Sequence, residues 1–370
     1  MYPCIVINKK KLVENVQSVV ERAHPQNITI TAITKCIAGD VEIAQAFVDA
    51  GVDKLGDSRI RNLKKMQHIN CEKWLIRIPM LSECKDVVAY ADVSLNSELE
   101  TIQKLNEEAV NIGTVHGVVL MLDVGDLREG VFLGAGSEMS GENLRLSHAG
   151  ESVVHAMVET ILQMKGIKLK GLGVNSTCFG ATIPIEETYD QVIKMADWIE
   201  DKYHINCEVI SGGNSSCYYL FEEGRLPRGI NNMRLGELLL LGQETAYLKA
   251  YPYLHQDSFT LEVEIVEIKE KPSYPIGLIG LNSFGEKVEF NDKGIRTRAI
   301  AAIGKQDVLL EHLTPKDTGI TIEGGSSDHM IIDTTSSSIR YKVGDVVEFT
   351  CDYASVLALC TSEYVETKVI

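Results

Sequence analysis

Short apolar runs alternate with amphipathic stretches through the first two thirds of this chain. The run at 28–34 is followed by a segment in which Val41, Ala44, Phe47 and Val48 recur at helical spacing, with Asp40 able to cap its start and Gly51 to end it. The unit then repeats. Strands are predicted at 28–34, 53–56, 74–78, 92–95, 115–123, 168–174, 206–210 and 233–235, with helical patterns such as 97–110, 152–164 and 186–203 between several of them. Eight strands joined by crossover helices are the pattern of an α/β protein of the (β/α)8, TIM-like barrel type, with a doubly wound open sheet as the alternative.

From about Phe259 the pattern changes. Strands at 260–269, 298–303, 329–333 and 345–349 are bounded by Gly, Pro and Asp, with almost no helix. A chain of 370 residues exceeds the usual size of a single core. The expected organisation is a barrel over 10–240 and a smaller C-terminal β domain over 241–370, which the N-terminal strand at 1–9 joins.

Charge and cysteine usage narrow the function classes. Lys and Arg number 36 against 52 Asp and Glu, a net charge of −16, which argues against nucleic acid as a partner. The nine cysteines are odd in number and scattered, without a CxxC pair or a Cys/His cluster at zinc spacing, so they read as reduced thiols and no metal site is expected. No apolar run approaches the ~20 residues of a membrane span, and the N-terminus lacks a secretory pattern. The expected location is the cytoplasm, away from membranes.

In a barrel the chemistry gathers at the carboxyl ends of the strands, and several residues fall there. Lys35 closes the first run; a lysine in that place either covers apolar surface with its stem or offers its amine for a Schiff base. After the longest apolar strand, Gly125-Asp126-Leu127-Arg128-Glu129-Gly130 is either an ordinary glycine-rich turn or a tight loop that aims a guanidinium inward. Ser211-Gly212-Gly213-Asn214-Ser215-Ser216 offers small residues and hydroxyls suited to one phosphate, but it lacks the Walker lysine and the GxGxxG spacing. Arg234-Leu235-Gly236 ends the last strand with a second positive group. A lysine, a phosphate cradle and two arginines together point to pyridoxal 5′-phosphate, which joins an aldehyde to a single phosphate.

These motifs, taken in order, resemble the alanine racemase-like, fold-type III enzymes that depend on pyridoxal 5′-phosphate, and most closely their ornithine racemase branch. Thr31-Ala32-Ile33-Thr34-Lys35 looks like the Schiff-base lysine segment, and Gly125 to Gly130 like a Gly-x-x-Arg-x-Gly motif whose arginine, here Arg128, orients the substrate carboxylate. Asn214-Ser215 resembles the phosphate-binding pair. Arg234-x-Gly236 resembles the motif that contacts the pyridine nitrogen and the phosphate, and Tyr364 sits where a C-terminal tyrosine would reach the phosphate. The resemblance to the ornithine branch rests on 54–79, including Gly56-Asp57-Ser58-Arg59, and on Gly304-Lys305-Gln306-Asp307.

The chain also departs from the family. Alanine-specific members carry a tyrosine four residues after the lysine, where this chain has Gly39, and a histidine against the pyridine ring, for which Asn175 is the nearest substitute. The resemblance implies a second catalytic base from the β domain of a partner subunit; Tyr274 is the nearest tyrosine, with Tyr353 or a polar residue from Ser327 to His329 in reserve. Candidates to meet a distal ammonium are Asp328, Asp126, Glu129 and Asp307. The implied enzyme is a homodimer with composite active sites that interconverts L- and D-ornithine by exchange of the α-proton. Alternatives are a racemase for alanine, lysine or many amino acids, a fold-type III decarboxylase, and a non-catalytic protein of cofactor homeostasis.

Overall fold

The computed structural model describes residues 1–134 and 139–370. The chain divides into two compact units, Lys11–Gln256 and Met1–Lys10 together with Asp257–Ile370.

The larger unit is built on eight parallel strands: β1 (Thr29–Ile33), β2 (Lys54–Asp57), β3 (Glu72–Leu75), β4 (Val93–Asn96), β5 (His116–Asp123), β6 (Ile167–Val174), β7 (Val209–Ser211) and β8 (Asn232–Leu235). Each pairs with the next, and β8 pairs with β1 in register Arg234 to Thr31, so the sheet closes. Closure selects the expected barrel over the open sheet. Trp74, Val93, Leu95, Val119, Met121 and Val209 form one buried cluster of strand side chains. The longer helices bury one stripe each, whereas the short helix Glu237–Leu241 is buried all round. Lys9–Ala23 covers Leu12, Val16, Val19 and Val20 and leaves its charged residues outside. Asp40 caps the helix Val41–Asp49 by accepting from the Ile43 amide at 2.9 Å.

Two stretches differ from the sequence reading. The polar segment from Ser137 to Gly150 lies partly outside the described residues, but Gly141–Ile161 is one helix of 21 residues. Its first half buries only Ser147 and Gly150, and a Cβ on Gly150 would meet the Phe132 carbonyl at 2.0 Å. A helix that packs by close backbone approach needs small residues and shows no apolar periodicity. Residues 241–256, expected in the β domain, cluster with the barrel unit. Asn15 explains why: its amide donates to the Leu239 and His255 carbonyls and its oxygen accepts from the His255 amide, while Tyr251 and Leu254 are buried.

The smaller unit is an antiparallel sheet centred on Phe259–Pro272, which pairs with Val346–Cys351 on one side and Ile295–Ala301 on the other. Phe259, Leu261, Val263 and Ile265 point inward and alternate with Thr260, Glu262 and Glu264, the period of a half-buried strand. The N-terminal strand Cys4–Ile7 lies in this sheet, antiparallel to Phe259–Pro272 and parallel to Glu366–Val369. A helix not expected from sequence, Tyr353–Thr361, is capped by Asp352. It is apolar nearly all round, which hides the helical period.

Candidate active site

Lys35 follows β1 in a single 3₁₀ turn, Lys35–Ile37, that ends with Ala38 and Gly39 both at positive φ. This reversal sets the lysine at the carboxyl end of the barrel. Gly39 has φ +66°, and a Cβ there would stand 2.6 Å from the Asn62 Cβ. No tyrosine fits at this position, so the departure from the alanine-specific pattern has a backbone cause. Asn62 in turn donates to Asp57 at 3.1 Å, and Asp57, at the end of β2, also accepts from the Thr34 hydroxyl at 2.7 Å and the Arg59 amide at 2.8 Å. Burial raises the Asp57 pKa, and these hydrogen bonds and Lys35 pull against that rise.

The arginine loop after β5 is folded by Asp123, whose Oδ1 accepts from the Gly125 and Leu127 amides at 2.9 and 3.1 Å. Gly130 has φ +122°, and its hydrogen stands where a Cβ would lie 2.5 Å from the Asp123 nitrogen. The loop therefore curls back on the strand end, and glycine is required there. Arg128 pairs with Glu129, through Nη2 at 2.5 Å and through Nε. Burial lowers the Arg128 pKa, but the Glu129 carboxylate outweighs it and the net shift is upward. Asp126, one of the candidates for a distal ammonium, is instead committed: it accepts from the Cys178 and Phe179 amides and the Thr182 hydroxyl at 3.0–3.1 Å and so holds the loop after β6.

Arg234, in β8, is 3 % exposed. Its guanidinium donates to Ser211 Oγ, to the Val174 carbonyl at 2.8 Å and to Asn175 Oδ1 at 2.6 Å. Burial lowers its pKa, with Glu129 acting in the opposite direction. Asn175 closes β6 and donates its Nδ2 to Glu129. After β7, Asn214 accepts from the Ser216 amide at 2.8 Å and donates to the Ser176 carbonyl at 2.9 Å, which fixes the turn that presents Ser215. The Ser215 hydroxyl accepts from the Gly236 and Leu238 amides at 3.4 and 3.2 Å. Gly213, at φ +113°, and Gly236 keep this cradle open; a Cβ on Gly236 would press on Ile33 at 3.3 Å.

The barrel unit thus gathers Lys35, Arg128, Asn175, Asn214, Ser215, Arg234 and Gly236 at the carboxyl ends of β1, β5, β6, β7 and β8. Of the other sequence candidates, Asp126 and Glu129 lie in the arginine loop of the barrel unit and the rest belong to the β unit. Tyr274 lies beyond the long strand, half-exposed, with its ring edge-on to Phe290. Asp328 is exposed, and its carboxylate is held below the usual range by His329, then by Ser326 and Ser327. Asp307 is buried and accepts from the Ser362 hydroxyl at 2.7 Å, and Tyr364 is 72 % exposed. Sequence reasoning placed Ser211 in a run suited to a phosphate, whereas its hydroxyl meets Arg234 and Asn232, and it gave Asp57 no contact with the lysine segment.

Residues 7–243 match the family described as alanine racemase, N-terminal domain. The chain belongs to the alanine racemase family. It is 41 % identical over 370 residues to an ornithine racemase of Acetoanaerobium sticklandii, covering 100 % of both chains. It is 37 % identical over 368 residues to a lysine racemase of Thermotoga maritima, covering 99 % of this chain and 98 % of the other. Among solved structures, an alanine racemase of Clostridium difficile superposes with a TM-score of 0.72 at 18 % identity, covering 100 % of this chain and 96 % of that one. A D-threonine aldolase of Filomicrobium marinum shares the fold with a TM-score of 0.69 at 12 % identity, covering 97 % and 88 %.

The donor set of this family member suits a group with an aldehyde, an aromatic ring nitrogen and one phosphate. A lysine at one strand end, a buried guanidinium at another, and a turn of hydroxyls and amides kept open by two glycines meet those three functions. Among the described residues, no helix is long and apolar enough to cross a membrane.

Proposed function

We propose that this protein is a pyridoxal 5′-phosphate-dependent racemase of basic amino acids, with ornithine as its substrate. The observation that carries the reading is the placement of Lys35 and the buried Arg234 at the carboxyl ends of the paired strands β1 and β8, in a chain similar over its whole length to an ornithine racemase. Lys35 would hold the aldehyde, Arg234 the ring nitrogen and Asn175 the ring edge. Asn214, Ser215 and Gly236 would hold the phosphate. When bound, the cofactor makes the α-proton of an amino acid acidic by drawing the electron pair left on Cα into its ring.

The protein's own groups then do the rest. Arg128 binds the substrate carboxylate and fixes which bond at Cα is presented. Lys35 Nζ takes or returns the α-proton on one face. Racemisation needs a second proton carrier on the opposite face, and Tyr274 Oη, contributed by a second copy of the chain, is assigned that place. Asp328 is assigned to the distal ammonium. A homodimer is supported by the arm that carries Tyr274, where Ile276, Leu278 and Leu281 are 91, 106 and 70 % exposed. None of the nine cysteines is joined in a disulfide, which fits a reducing cytoplasm.

The similarity to a lysine racemase supports lysine as a second substrate, one methylene longer. A decarboxylase of the same fold type usually places an acid at the ring nitrogen, where Arg234 stands, and a cofactor-homeostasis protein would need no β unit.

The test is incubation of the purified protein and pyridoxal 5′-phosphate with L-ornithine, L-lysine or L-alanine in D2O. Loss of the α-proton signal by NMR and formation of D-ornithine by chiral chromatography are expected, with lysine slower and alanine inert. Carbon dioxide release without a D-product would overturn the reading in favour of decarboxylation. A broad response would keep the reaction and remove the specificity.

A further inference from the structure

A single carboxylate stands between the two arginines of the strand-end site, Arg128 and Arg234. Glu129, with a side chain only 14 % exposed, grips Arg128 through two nitrogens, Nε and Nη2, and accepts from Asn175 Nδ2. Asn175 Oδ1 in turn accepts from Arg234 Nη2 at 2.6 Å. The Asn175 amide is used at both ends, which fixes its orientation. Among the described residues, no carboxylate lies at ion-pair distance from Arg234. A buried guanidinium is costly unless its charge is answered, and here the answer comes from Glu129 through one intervening amide.

We propose that Glu129 is a positioning residue shared by both arginines: it fixes which edge of Arg128 meets the substrate carboxylate, and through Asn175 it holds Arg234 in place for the cofactor. The inference rests on the function proposed above. The pair with Glu129 occupies Nε and one Nη2 proton of Arg128, so the Nη1 side is left for an incoming carboxylate. On this proposal Glu129 acts on both ligands only through the two arginines. Because Glu129 and Asn175 act on Arg234 in series, their effects on the cofactor cannot be independent.

The test uses the full chain as wild type, E129A, E129Q, N175A and E129A/N175A. The readouts are pyridoxal 5′-phosphate Kd by absorbance titration, kcat and KM for L-ornithine, and Tm. E129A is expected to raise the cofactor Kd at least fivefold and KM at least tenfold, with a smaller change in kcat. N175A, which also loses the ring-edge contact, should raise the cofactor Kd at least as much, with less change in KM. The double variant should stay within twofold of the weaker-binding single variant in cofactor Kd. E129Q, which keeps the shape and loses the charge, should hold Tm near wild type while KM stays raised; it carries the test if E129A does not fold.

Cofactor Kd and KM within twofold of wild type in both E129A and E129Q, or singly measured effects that multiply in the double variant, would overturn the proposal. A wild type that binds cofactor but racemises no amino acid overturns the functional reading instead, and the Kd series still decides the role of Glu129.

Discussion

Thr34 donates its hydroxyl to Asp57 at 2.7 Å, across the ends of β1 and β2. Thr34 directly precedes Lys35, so the turn that carries the lysine is tied to the neighbouring strand by a wholly buried carboxylate. The same carboxylate holds Asn62, whose Cβ fills the space beside Gly39. Asp57→Ala would strand these donors and is expected to cost about 3 kcal/mol of stability by urea unfolding, with weakened cofactor capture by Lys35. Because burial raises the Asp57 pKa, the native state holds this proton more tightly than the unfolded chain. This component of stability falls as pH rises from the ordinary carboxylate value through the higher native one, and Asp57→Asn should remove that slope.

A second pH dependence has the opposite sign and sits at the other end of the barrel strands. His116 opens β5, fully enclosed, with Ser94 Oγ at 2.8 Å from Nε2, and burial pushes its pKa down from 6.5 to about 4. Below pH 6.5 the unfolded chain takes a proton that the native ring refuses. The associated stability is complete above pH 6.5 and is lost as pH falls toward 4, about 3 kcal/mol in all. Urea unfolding of wild type and His116→Gln at pH 7.5 and pH 5 should show the difference between them shrinking at the lower pH; an unchanged difference would contradict it.

Gly130 supports the arginine loop by close approach rather than by any side chain. Gly130→Ala forces a Cβ to within 2.5 Å of the Asp123 nitrogen at an unfavourable φ. The expected result is a folded protein less stable by about 2 kcal/mol whose KM for L-ornithine rises tenfold or more, because Arg128 loses its aim. A KM within twofold of wild type would show that the loop tolerates the shift.

Arg234 remains protonated and is a poor proton donor, so it should leave the cofactor ring nitrogen without a proton. Arg234→Glu would supply one. Amino-group transfer to the cofactor is then expected beside a slowed racemisation, detected as pyridoxamine 5′-phosphate by mass spectrometry. Racemisation at the wild-type rate with no such by-product would rule out this role for the guanidinium.

Leu278 and Ile276 project from the arm with almost all of their surface exposed. Leu278→Asp with Ile276→Asp should shift the protein from dimer to monomer in light scattering and abolish racemisation, since Tyr274 would no longer reach a partner's site. A monomeric wild type with full activity would refute the composite site.

Much of the barrel is legible in the amino-acid sequence. Val, Ile and Leu run continuously through β5 because its residues are buried on both faces, and the helices show their period because only one stripe of each is buried. The same logic hid the front of helix Gly141–Ile161, where Ser147 and Gly150 make the contact. The candidate residues at the barrel strand ends were legible for a related reason: glycine, lysine and arginine in short loops after apolar runs stand out against the pattern.

By itself the sequence determined the eight-strand repeat, the change to alternating strands near Phe259, and the order of motifs that marks the alanine racemase family, since each depends on neighbours in the chain or on periods of two and 3.6 residues. Only the tertiary structure decided that β8 closes on β1, that Asn15 ties residues 241–256 to the barrel, that Asp126 serves a loop, and that Glu129 and Asn175 connect Arg128 to Arg234. Those are contacts between strand ends and loops far apart in sequence. Hydrogen bonds at about 3 Å depend on where the closed barrel brings side chains, and local propensity carries no record of that distance.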